Sequence, residues 1–81
     1  MSDAIAAMIG RRVAERRIER ELTQEQLAEA AGISRQMVSL IERGVKTPGW
    51  LTAYALAIAL RCEVFDLLPT LREVKKLSVA P

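Results

Sequence analysis

The stretch LTQEQLAEAAGISRQMVSLIERG, residues 22–44, holds two short helical patterns with almost nothing between them. Thr23-x-x-Gln26 has the form of a capping box, in which each side chain satisfies a backbone amide near a helix start. Leu27, Ala28 and Ala31 supply an apolar face, and Gly32 stands where a left-handed residue ends a helix. Ser34 then caps a further helix running to about Arg43, where Gly44 stops it. A connection this short forces a large angle between two helices. Such a crossing needs small residues at the approach, and Ala28 and Gly32 meet that need.

The rest of the chain also reads as helix. A first helix is expected from about Asp3 to Arg20, capped by Ser2 or Asp3, with Ile5, Ile9 and Val13 recurring every fourth residue. One more step along that stripe reaches Arg17, a charge on the core side that requires a partner. Thr47 and Pro48 are expected to start a fourth helix, with the proline in its first turn, where a missing N–H costs nothing. Trp50 to Leu60 is nearly all apolar, which predicts a helix buried on several sides, with Trp50 and Phe65 as core anchors. A short fifth helix is expected over about Glu63 to Leu68, ending before Pro69. In the tail TLREVKKLSVAP, Leu71, Val74 and Leu77 fall on a helical stripe before the chain frays. No strand pattern or repeat interrupts this order. The expected fold is all-α, a compact bundle of five helices over residues 1–68, with 69–81 as a C-terminal tail.

Composition narrows the function. The 81 residues are 51% hydrophobic and 27% charged, with one tryptophan, one tyrosine and one phenylalanine, so the core must be aliphatic. With one cysteine and no histidine there is no internal disulfide and no Cys/His set for zinc. Cys62 is expected to be a small buried apolar residue. No apolar run is long enough to span a membrane, and MSDAIAAMIGRR lacks a signal peptide's order of charges, so a cytoplasmic protein is expected. The net charge of +2 says little alone. Eight of the twelve basic residues lie between Arg11 and Lys46, but six acidic residues share that span, so a basic surface must come from geometry.

That geometry is found on the third helix. Stepping about 100° per residue separates two faces. Val38 and Ile41 point together toward the core. Gln36, Ser39, Leu40 and Arg43 lie on the far side, with Arg35 and Met37 on the flanks. The outward face begins with a guanidinium and a carboxamide, which can make paired hydrogen bonds to guanine and adenine edges. A helix displaying these groups at its N-terminal end, braced by a second helix, suits the DNA major groove. The two helices form a helix-turn-helix over about residues 23–43.

The stretch IGRRVAERRIERELTQEQLAEAAGISRQMVSLIERG, followed by a proline and an apolar helix with Ala57 and Leu60, resembles the XRE or Cro/phage-repressor helix-turn-helix family. The resemblance covers roughly Ile9 to Leu68 and implies a lambda-repressor-like domain of about five helices. It implies that Arg35, Gln36 and Leu40 read bases, with Ser39 beside them, and that Gln24 contacts a phosphate and braces Arg35. Arg43 and Lys46 match backbone-contacting positions. Arg17 matches an arginine that pairs with the glutamate at Glu42 near a phosphate. Glu21 and Arg61 stand where the family often has glycine, and Arg16 where an apolar residue is common, so different local turns are expected there.

These readings converge on a regulator that binds double-stranded DNA. A repressor acting as a homodimer on a palindromic operator is expected, with Val64, Leu68, Leu71 and Val74 packing across the two-fold axis. The competing class is an antitoxin-type module that neutralises a toxin partner and also binds DNA. No cofactor, metal or enzymatic activity is expected, because no nucleophile has an evident base and no glycine-rich phosphate loop is present.

Overall fold

The computed structural model of the chain describes residues 2–78. They form six helices: α1 Ser2–Glu19, α2 Gln24–Ala31, α3 Arg35–Glu42, α4 Trp50–Leu60, α5 Val64–Leu67 and α6 Leu71–Ser78. No strand occurs among the described residues, and no helix among them is long and apolar enough to cross a membrane. The five expected helices are present, and the tail adds a sixth. The expected fraying of residues 79–81 lies outside the described residues.

Local chemistry sets the ends of α2 and α3. The Thr23 hydroxyl accepts from Gln26 N at 3.0 Å, while the Gln26 side chain accepts from Thr23 N at 2.9 Å. Gly32 closes α2 at φ 71°, its N–H directed at the Ala28 and Glu29 carbonyls. Two residues later Ser34 Oγ accepts from Met37 N at 3.0 Å and starts α3. The turn is short because each side of it is capped by its own residue.

Packing joins these two helices to α1 and α4. Val13, Leu27, Val38, Ile41, Leu56 and Leu60 are almost completely buried and make the centre of one aliphatic core. α1 crosses the end of α3 at backbone contact. A methyl group built on Gly10 would stand 2.3 Å from the Ile41 carbonyl oxygen, so no larger residue fits there.

Several details differ from expectation. α1 already begins at Ser2, so Asp3 lies in its first turn, where an acidic side chain favours the helix dipole, rather than capping it. α4 starts at Trp50 with Gly49 as its cap, which leaves Pro48 outside the helix. Trp50 and Phe65 are not core anchors, and both are largely exposed. α4 sits at the edge of the bundle and buries Ala53, Leu56, Ala57 and Leu60. Cys62 is half-buried beside the core, and burial pushes its thiol pKa up.

The two departures from glycine keep a glycine-like backbone. Glu21 has φ 57° and Arg61 φ 53°, both in the left-handed region that glycine adopts most readily. Helix termination by such a residue lets Leu22 N reach the Arg17 carbonyl and Cys62 N the Ala57 carbonyl. Arg20 supports the second turn, its Nε donating to the Leu60 carbonyl at 3.0 Å. Arg16, in place of an apolar residue, pairs with Asp66 at 3.6 Å.

α6 is docked on α1. Thr70 and Glu73 cap its start reciprocally, and Arg12 donates both to Glu73 and to the Leu68 carbonyl. Val64 and Leu68 pack against the core, Val74 is half-buried, and Leu71 is exposed. The four residues expected to form a dimer surface are therefore not one open face.

Candidate nucleic-acid interface

α3 turns Val38 and Ile41 inward and leaves Arg35 and Gln36 exposed at its N-terminal end. Gln24, the first residue of α2, faces the same side. Together with Arg35, Gln36 and Ser39 it lines a shallow recess of about 280 Å³. A guanidinium and a carboxamide of α3 thus share one surface with a carboxamide of α2, and all three can hydrogen-bond to base edges or phosphates.

A half-buried ion pair lies behind this recess. Arg17 Nε donates to Glu42 Oε2 at 2.6 Å and its Nη2 to Oε1 at 3.1 Å. Its Nη1 donates to the Leu22 carbonyl at 2.8 Å, which ties the α1–α2 turn to the end of α3. The Glu42 hydrogen bond raises the arginine's pKa against the opposing effect of burial, so the guanidinium stays charged. Glu42 Oε1 also accepts from Gln24 Nε2 at 3.0 Å. The side chain expected to brace Arg35 rests on Glu42 instead. No local pattern links residues 24 and 42, because only the angle between α1, α2 and α3 brings them together.

The other site residues lie toward the end of α3. Ser39 and Leu40 are both half-buried, so Leu40 is less open than its place opposite Ile41 implied. The Leu40 carbonyl accepts from Val45 N at 3.0 Å and from Lys46 N at 3.2 Å, which folds the loop back on α3. Gly44 enables that fold with φ 73°. Arg43 and Lys46 are exposed at this end. Three other basic side chains are engaged away from this face: Arg12 pairs with Glu73, Arg16 with Asp66, and Arg20 donates to the Leu60 carbonyl. What remains is a compact face with Arg35 and Gln36 at one end and Arg43 and Lys46 at the other.

This arrangement defines a helix-turn-helix protein. The family model HTH_3, helix-turn-helix, matches residues 13–67, and the chain belongs to this XRE-type family of transcriptional regulators, which are not enzymes. An uncharacterised HTH-type transcriptional regulator of Sinorhizobium fredii is 42% identical over 53 residues, covering 65% of this chain and 69% of that protein. A similar regulator of Methanothermobacter thermautotrophicus is 42% identical over 48 residues, 59% of this chain and 70% of that one. Among solved structures, a restriction-modification controller protein from Aeromonas hydrophila superposes with a TM-score of 0.77 at 34% identity, over 80% of this chain and 98% of that one. A hypothetical transcription factor from Neisseria matches with a TM-score of 0.78 at 26% identity, over 95% and 88% of the two chains.

Proposed function

We propose that the protein is a sequence-specific repressor that binds double-stranded DNA in the cytoplasm as a homodimer on a palindromic operator. The observation that carries this reading is the shared surface of Gln24, Arg35, Gln36 and Ser39 over the half-buried Arg17–Glu42 pair. Arg35 and Gln36 read base edges in the major groove, with Ser39 and Leu40 beside them. Gln24, Arg43 and Lys46 hold phosphates, and Arg17 adds positive charge from behind. Repression follows from occupancy, since a dimer seated on a promoter excludes other proteins. Similarity to the Aeromonas controller protein, nearly all of whose length is matched, supports a regulatory role.

A single domain presents one reading helix, and two such helices related by a two-fold axis double the sequence read. Selection of bound fragments from a random DNA pool tests the proposal. The expected product is a palindrome with half-sites about 10–10.5 base pairs apart, or a multiple of that spacing. Binding should weaken steeply with added salt. A pool that never enriches, with retention indifferent to sequence, would contradict specific recognition.

A further inference from the structure

α4 has no charged residue in eleven positions, yet only half of it is covered. Trp50, Leu51, Tyr54 and Ile58 are 70, 67, 51 and 76% exposed. Successive helical turns place these four on one stripe of α4. Trp50 and Tyr54 stand edge to face, with ring centroids 6.2 Å apart and planes at 88°, so the two rings hold each other in place. An exposed helix face ordinarily carries charge. This one carries none.

The size of the stripe is informative. Aromatic side chains offer about 150–250 Å² each, so at these exposures the four residues leave on the order of 500 Å² of largely apolar surface in water. That is near the upper end for the largest apolar patch on a typical monomer, about 300–600 Å². A standard interface takes roughly 800 Å² from each partner, as an apolar core within a polar rim. The stripe has the dimensions of such a core.

We propose that this face is the docking surface for a second copy of the chain, with α4 packed on its symmetry mate and Trp50 and Tyr54 as anchors. The inference rests on the homodimer reading and moves the interface from the tail to α4. A two-fold interface joins the same patch on both subunits, and an uncharged stripe meets its own copy without like-charge repulsion. The stripe shares no residue with the face of Arg35, Gln36 and Ser39.

Sedimentation of the full chain, with fluorescence of its single tryptophan, tests this. The wild type should be a dimer at tens of micromolar, and dilution should shift Trp50 emission to the red as the ring returns to water. Leu51→Glu and Ile58→Glu alter exposed positions, so circular dichroism should stay native. Each should raise the dimer dissociation constant by about a hundredfold, since like charges then meet across the axis. Leu71→Glu, on exposed α6, should leave the dimer intact. Persistence of the dimer in both α4 variants, or its loss in Leu71→Glu, would overturn the surface and spare the homodimer. A wild type monomeric at every concentration, with or without DNA, would overturn both. Fragment selection with the wild type reads DNA recognition separately.

Discussion

Gln24 of α2 and Glu42 of α3 are joined by a 3.0 Å hydrogen bond from amide to carboxylate. The same carboxylate holds Arg17 of α1, so one half-buried acid links three helices and orients a side chain of the recess lined by Arg35 and Gln36. Stability and recognition therefore meet at Glu42.

Replacing Glu42 with alanine should be costly. It strands the mostly buried Arg17 and frees Gln24. Breaking a buried pair from one side typically costs ~3–5 kcal/mol. Here the Leu22 carbonyl and partial solvent contact soften the loss, so about 2–4 kcal/mol is expected. For a domain of this size that lowers the melting temperature by roughly 10 °C or more. A melt with an unchanged midpoint would show that the pair contributes nothing.

The left-handed turns give a prediction of opposite sign. A non-glycine residue in this conformation costs roughly 1–2 kcal/mol, part of which glycine returns as chain entropy. Glu21→Gly and Arg61→Gly, at φ 57° and 53°, should each stabilise the fold by about 0.5–1 kcal/mol. Gly32→Ala, at φ 71° with open space around it, should destabilise by about 1 kcal/mol from backbone strain alone. Denaturant midpoints measure all three, and a loss of stability in both glycine variants would contradict the argument.

The docking of α6 should depend on pH. The Arg12 hydrogen bond, with help from the Thr70 amide, holds the Glu73 carboxyl below its ordinary pKa. A carboxyl depressed in the folded state contributes fully above its unfolded pKa, and the contribution disappears as pH falls through the folded value. Acidification through and below the carboxylate range should therefore loosen α6 from α1 before the core melts. Resonances of Val74 and Leu77 should report this. Glu73→Gln should loosen the helix already at neutral pH, and an α6 that stays docked in both conditions would rule the latch out.

How much of this was legible in the sequence follows from the range of each interaction. The capping box at Thr23 and Gln26, the Ser34 cap and the Gly32 stop act within a few residues, and each stands in the structure where the residue pattern put it. The stripe of Ile9 and Val13 likewise pointed Arg17 inward. The outward half of α4 was not legible, because a helix apolar all round gives no direction, and only its place at the bundle's edge decides which side stays wet. The Arg12–Glu73 contact spans 61 residues and the Gln24–Glu42 contact 18 residues, so both depend on packing that no local pattern encodes.

In the proposed function α3 reads bases while the end of the motif only holds DNA. The most direct measurement compares Gln36→Ala and Lys46→Ala with the wild type on selected and scrambled DNA across a salt series. A paired hydrogen bond from Gln36 is worth roughly 1–3 kcal/mol of discrimination at one base pair. Gln36→Ala should lose that preference in each half-site and keep its affinity for scrambled DNA. Lys46→Ala should weaken both DNAs alike and reduce the salt slope by about one unit for each phosphate no longer neutralised. Full discrimination by Gln36→Ala at every position, or loss of discrimination without loss of affinity in Lys46→Ala, would contradict this account.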